Sequence, residues 1–140
     1  MPEALISALA VAGGGAAGAV ARWVVAEWVS AVAAGWQLRW PGGAMFPWGT
    51  WSVNLLGAFA IGFLFELAIS TTVLPPFWRL ALITGFVGGF TTFSTMMSET
   101  VQLLRGGMWG TALGYIVLSN IMGVVMVVAG TLAARLLLRG

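Results

Sequence analysis

Four long uncharged stretches constrain this chain more than any other feature of its sequence. They cover residues 4–21, 40–65, 80–98 and 106–134. Each reaches the length of roughly 18 residues at which an apolar segment can cross a bilayer as a helix. A backbone in lipid must satisfy its own hydrogen bonds, so spanning segments of this kind are helical. The sequence predicts an all-α membrane protein in one domain, 1–140, with four transmembrane helices over about 4–34, 48–70, 77–104 and 108–138.

The third stretch contains the run GFVGGFTTFSTMMSE at residues 85–99. Its glycines weaken a helical backbone, and its hydroxyl groups are costly in lipid unless they are satisfied. Interrupted helices at membrane depth are tolerated where they are buried in protein or line a cavity, and they often mark ion sites. We therefore predict that the third helix is broken near Gly85–Thr91 around an ion path.

The composition excludes most catalytic chemistry. The sequence contains no His and no Cys, and its only charged side chains are six Arg and four Glu. These absences remove zinc sites built from Cys and His, Ser-His hydrolysis and thiol chemistry. We predict that the protein is not an enzyme.

Polar side chains recur on single faces of two other spans. Thr50 and Asn54 lie one turn apart in the second span, as do Tyr115 and Ser119 in the fourth. Such groups often form only interhelical hydrogen bonds, worth about 0.6 kcal/mol each on average. Three spans with polar faces, one of them broken, favour a pathway instead. Neutral amide and hydroxyl donors can replace the water around a small anion without trapping it.

Two phenylalanines, Phe90 and Phe93, lie in the same segment as the predicted break. An aromatic ring has a positive edge and a negative face. Rings turned edge-on meet an anion favourably, whereas rings turned face-on belong to the core. The sequence leaves both orientations open.

The arginines are divided evenly between the two ends of the predicted spans. One end carries Arg79, Arg135 and Arg139, and the other carries Arg22, Arg39 and Arg105. An excess of positive charge on one side sets membrane orientation, so an even division favours insertion in both directions. Two oppositely inserted copies can then pair. A single orientation set by one or two flanking charges is the alternative.

Three segments together resemble the Fluc/CrcB family of small fluoride channels. They are GGGAAGAVAR at 13–22, GTWSVNLLGAFAIG at 49–62 and the run at 85–99, and SNIMG at 119–123 fits the family's fourth helix. The resemblance covers nearly the whole chain. Two departures are a longer first loop rich in Trp, and Met96 and Met97 where an aromatic residue is common.

The resemblance implies an antiparallel, inverted homodimer in the cell inner (plasma) membrane that exports fluoride passively through two pores. It also implies a structural sodium ion at the dimer centre, held by the backbone carbonyls of Gly88 and Thr91, and a vestibule residue, Arg22. The implied fluoride-pore residues are Asn54, Phe90, Phe93, Thr92, Ser94, Tyr115 and Ser119.

Proton-coupled exporters of the small multidrug resistance type, which carry cationic compounds, are the alternative class. They are also short four-helix chains, and they need an acid within the membrane. Glu27 is the candidate for that acid, and an intramembrane acid is a functional hypothesis by default. It lies late in the first span between Trp23 and Trp28, which indicates an interfacial depth.

Overall fold

The computed structural model describes residues 2–41, 43 and 45–139. The helices are α1 (Glu3–Gly35), α2 (Trp48–Ser70), α3 (Pro76–Arg79), a π-helical segment (Leu80–Val87), α4 (Gly88–Phe90), α5 (Phe93–Arg105) and α6 (Trp109–Arg139). Four segments are long and apolar enough to cross a membrane: α1, α2, the composite third span Pro76–Arg105, and α6. The predicted all-α membrane protein with four spans is confirmed at this level.

Close backbone packing joins α1 to the third span. Gly14 and Gly18 lie against the backbone of Ala81 and Phe86, and a Cβ atom at either glycine would collide with a carbonyl oxygen. Lipid tails are as apolar as the side chains, so helices in a membrane associate through tight packing rather than through the hydrophobic effect. Small residues on α1 therefore hold the first half of the third span in place.

The second and fourth spans pack together in the same way. Gly62 of α2 and Gly130 of α6 each lie against the backbone of the other helix. An ion pair closes this interface near one end, where Arg135 Nε donates to Glu66 Oε1 at 3.0 Å. α2 and α6 thus form one rigid pair, and α1 and the third span pack beside it.

The interruption of the third span is shorter and later than the predicted break near Gly85–Thr91. Helical backbone continues through Phe90, as a π-helical segment and then α4. Only Thr91 (φ −83°, ψ 155°) and Thr92 (φ −149°, ψ 115°) are extended. The glycines do not break the helix, because their lack of a side chain lets α1 pack directly against them. Gly89, for example, lies against Gly15 of α1. The two threonines interrupt it instead.

The first loop folds back over one end of the helices and forms an aromatic cap. We define this cap as Trp40, Phe46, Trp48 and Trp51. Phe46 is its centre, stacked on Trp40 at a centroid distance of 4.9 Å and tilted against Trp48 at 4.6 Å. Trp51 meets Phe46 edge-on at 5.8 Å. The cap covers the end of the bundle at which α2 begins.

Candidate functional site

Asn54 of α2 binds the interruption directly. Its Nδ2 donates to the Thr92 carbonyl at 3.0 Å, and its Oδ1 accepts from the Thr92 N–H at 2.8 Å. An unpaired backbone group in a membrane costs several kcal/mol, so an interruption needs such partners. One amide side chain supplies both of them and fixes the second span against the third.

The same arrangement deprives two carbonyls of their usual helical donors. In a continuous helix the Thr92 N–H would donate to Gly88 and the Thr95 N–H to Thr91. The first donates to Asn54 instead, and the second donates to the Thr92 hydroxyl at 3.2 Å. The carbonyl groups of Gly88 and Thr91 are therefore released from the helical pattern at the interruption.

A second polar cluster lies beside the aromatic cap. Thr50 of α2 donates its hydroxyl to Glu99 Oε1 at 2.7 Å, and Tyr115 of α6 donates to Glu99 Oε2, also at 2.7 Å. Tyr115 is completely buried. Hydrogen bonds to an ionised acceptor are short and strong, so these contacts tie three spans together at one carboxylate.

The polar side chains form two levels, and each level takes one residue from α2, one from the third span and one from α6. The lower level consists of Asn54, Thr92 and Ser119, and the upper level consists of Thr50, Glu99 and Tyr115. On α2 and on α6 the levels are one helical turn apart, or about 5–6 Å along the axis. A column of neutral donors around one carboxylate thus follows the helix axes.

A groove of about 510 Å³ opens at the lower level, between α2, the interruption and α6. Its polar lining comprises Asn54, Thr91, Thr92, Ser119 and Asn120, and Phe93 lines it together with other apolar residues. The Ser119 hydroxyl is buried and has no hydrogen-bond partner within residues 2–41, 43 and 45–139. A free hydroxyl donor and the Asn54 amide therefore both line this mostly apolar groove.

The two phenylalanines occupy different environments in this chain. Phe90 is 8% exposed and stacks on Phe86 with a centroid distance of 5.8 Å. Phe93 is 71% exposed and lines the groove, as does the buried Met96. Only Phe93 is placed to contact a ligand within the groove of a single chain.

The remaining predicted residues lie at the margins of this site. The Ser94 hydroxyl lies 3.3 Å from that of Thr92, which also donates to Thr95 Oγ1 at 3.0 Å. Arg22 is half-buried on α1 and does not line the groove, and Glu27 is exposed on the same helix. The roles predicted for Ser94 and Arg22 stay predictions.

Glu99 is the site residue that the sequence analysis missed. A carboxylate near the end of the third span is ordinary by position, and nothing in the sequence shows which hydroxyls reach it. One signal was available. Thr95 of the hydroxyl run and Glu99 lie one helical turn apart, so both belong to the same face of α5.

Four membrane-capable helices, an interrupted third span and polar levels shared by three spans define a multi-pass membrane protein. Residues 9–131 match the family model described as CrcB-like protein, Camphor Resistance (CrcB). This match covers most of the chain and its three motif segments, and the chain belongs to the CrcB family.

Curated relatives align with the chain along most of their own length. A protein of Chlorobaculum tepidum is 48% identical over 128 residues, which cover 91% of this chain and 94% of that protein. One of Geobacter sulfurreducens is 44% identical, with 91% and 95% covered, and one of Pelobacter propionicus is 38% identical, with 100% and 98% covered. Each of the three is named a fluoride-specific ion channel, FluC.

Proposed function

We propose that this protein is a fluoride channel that exports fluoride passively across the cell inner membrane. The observation that carries the proposal is the lower polar level, together with relatives named as fluoride-specific ion channels. The alternative, a proton-coupled exporter that uses Glu27, has no comparable support, because Glu27 is exposed and the chain belongs to the CrcB family.

The chemistry of the groove suits a small, strongly hydrated anion. Such an ion enters a narrow path only if protein donors replace its water, and it leaves only if no single site binds it too tightly. Asn54 and Ser119 offer neutral N–H and O–H donors at the groove. A neutral donor binds an anion more weakly than an arginine would, which favours passage over retention.

We propose further that a second, inverted copy covers the groove and forms the channel with it. The groove is open and mostly apolar, and Phe93 projects from its wall with 71% of its surface exposed. A two-fold axis beside the interruption would place the Phe93 of each copy at the groove of the other. The symmetry then produces two equivalent pores in each homodimer.

The same symmetry suits a structural sodium ion. Carbonyls released at Gly88 and Thr91 would meet their symmetry mates at the axis, which provides four hard oxygen ligands. Free carbonyl groups at an interrupted helix are typical sodium ligands. Replacing sodium with choline in the buffer should weaken the dimer in a subunit-exchange assay. Equal exchange with and without sodium would contradict this part of the proposal.

Passive conduction is tested with purified protein in liposomes loaded with potassium fluoride. A passive channel carries net charge, so fluoride efflux should begin only when valinomycin lets potassium leave as well. Vesicles without protein are the control. Efflux that runs without valinomycin and acidifies or alkalises the lumen would indicate proton coupling and would contradict the proposal.

A further inference from the structure

The aromatic cap contacts the upper polar level at one residue. Phe46 is 5% exposed, and its ring meets the ring of Tyr115 edge-on, with centroids 5.2 Å apart and planes at 79°. Trp40 stacks on the same Phe46 ring. Both rings are buried and in contact, so Phe46 restricts sideways displacement of the whole Tyr115 ring.

The aromatic cap packs tightly against α6 at Gly114. A Cβ atom at Gly114 would lie 2.5 Å from Trp40 Cζ2, so the indole lies directly on the backbone that precedes Tyr115. The cap therefore contacts Tyr115 through Phe46 and its neighbouring residue through Trp40. Both contacts come from the first loop, which lies outside the four spans.

Ring orientation matters because the Tyr115 hydroxyl has a specific partner. The Tyr115 hydroxyl donates to Glu99 Oε2 at 2.7 Å, and the Thr50 hydroxyl donates to Oε1 of the same carboxylate. The phenol oxygen lies on the Cβ–Cγ axis, so turning the ring plane about that axis leaves it in place. Swinging the whole ring about the Cα–Cβ bond moves the oxygen out of hydrogen-bond distance. Loss of this bond would leave half of the carboxylate without its donor, next to the path of an anion.

We propose that Phe46 is a positioning residue for ion passage, which acts through Tyr115. It holds the Tyr115 ring so that the hydroxyl stays on Glu99 and compensates the carboxylate charge at the upper level. This inference rests on the proposed fluoride conduction. It implies that the Trp-rich first loop contributes to ion passage as well as to packing at the end of the bundle.

Tyr115 is the only tyrosine of the chain, which allows a direct test. The Raman doublet of a tyrosine ring reports whether its hydroxyl donates a strong hydrogen bond. We expect Phe46→Leu to move this doublet towards a weaker bond and to slow fluoride efflux about fivefold, the size of effect common for groups in contact. The control Met45→Leu changes an exposed neighbour in the same loop and should move neither signal.

The possible results separate this inference from the proposed function. A parent protein without fluoride efflux would contradict the channel proposal. A conducting parent in which Phe46→Leu slows efflux with an unchanged doublet, or changes the doublet at full efflux, would overturn the role of Phe46. If Phe46→Leu does not fold, Gly114→Ala replaces it. The added methyl group would push the Trp40 ring away from α6. We expect this variant to weaken the hydrogen bond reported by the doublet and to slow fluoride efflux, as Phe46→Leu does.

Discussion

The side-chain amide of Asn54 pairs with both backbone polar groups of Thr92, at 3.0 Å to the carbonyl and 2.8 Å from the N–H. The pairing replaces the helical hydrogen bonds that Thr92 cannot form in its extended conformation, while the Thr91 N–H still donates to the Val87 carbonyl at 3.0 Å. The amide also has a second N–H that this pairing does not use, and Asn54 lines the groove. One side chain therefore stabilises the interruption and contributes to the lower polar level.

Asn54→Ala should remove both functions at once. We expect the free energy of unfolding in detergent to fall by about 1–3 kcal/mol, because backbone groups at the interruption lose their partners. Fluoride efflux should also fall to the level of empty vesicles. Gln102→Ala is the control, because the exposed Gln102 amide bonds only to the Ser98 hydroxyl of its own helix and does not line the groove. Equal efflux from both variants would contradict the assignment.

Thr50→Val tests the upper polar level. The substitution keeps the side-chain shape and removes only the hydroxyl that donates to Glu99 Oε1. We expect slower fluoride efflux and a stability loss of about 1 kcal/mol in thermal unfolding. Thr100→Val removes a buried hydroxyl that bonds within its own helix, to the Met96 carbonyl, and should leave efflux close to that of the parent. Equal fluoride efflux from Thr50→Val and Thr100→Val would contradict the role assigned to Thr50.

The two phenylalanines should respond differently to replacement by isoleucine. Phe90→Ile changes a packed residue and should lower the unfolding temperature of the isolated protein, since a core side chain of another shape costs up to about 1.5 kcal/mol. Phe93→Ile keeps an apolar side chain at a position outside the core of the single chain, so it should change that temperature less than Phe90→Ile while fluoride efflux falls. Full efflux from Phe93→Ile would show that its ring edge does not serve the ion.

Inverted insertion predicts the same label on both sides of the membrane. Val73 lies in the exposed turn after α2, and the chain has no cysteine of its own. A single Val73→Cys should therefore react with a membrane-impermeant maleimide in about equal parts from each side, as expected when neither orientation is favoured by charge. Leu38→Cys, at the opposite end of the bundle, should give the same division. Labelling of each cysteine from one side only would exclude inverted copies.

Hydropathy alone predicted the four spans, because a backbone in lipid has few options besides a helix. The sequence predicted the interruption within the correct motif, but it did not predict the residues at which the interruption begins and ends. Glycine at 85 and 89 weakens an isolated helix, yet both positions pack against α1, and this tertiary contact keeps the backbone helical. The extended residues are the threonines, whose side chains hydrogen-bond locally and so compete with helical pairing.

Contacts between spans were beyond the reach of the sequence pattern. The polar faces of α2 and α6 follow from residue spacing, but the link from Thr50 and Tyr115 to Glu99 depends on how far three helices are shifted along their axes. The aromatic cap depends in addition on a loop with a left-handed residue, Gln37 at φ 52°, a conformation that local sequence does not specify for glutamine.

Parallel measurement of fluoride and chloride efflux tests the central claim most directly. Liposomes that carry the purified protein are loaded with both potassium salts, and valinomycin starts the efflux, which two ion-selective electrodes follow. The account predicts that fluoride leaves at least about tenfold faster than chloride, a difference of about 1.4 kcal/mol or more, and that Asn54→Ala abolishes only the fluoride signal. Equal rates for the two ions, or no fluoride efflux from folded protein, would contradict it.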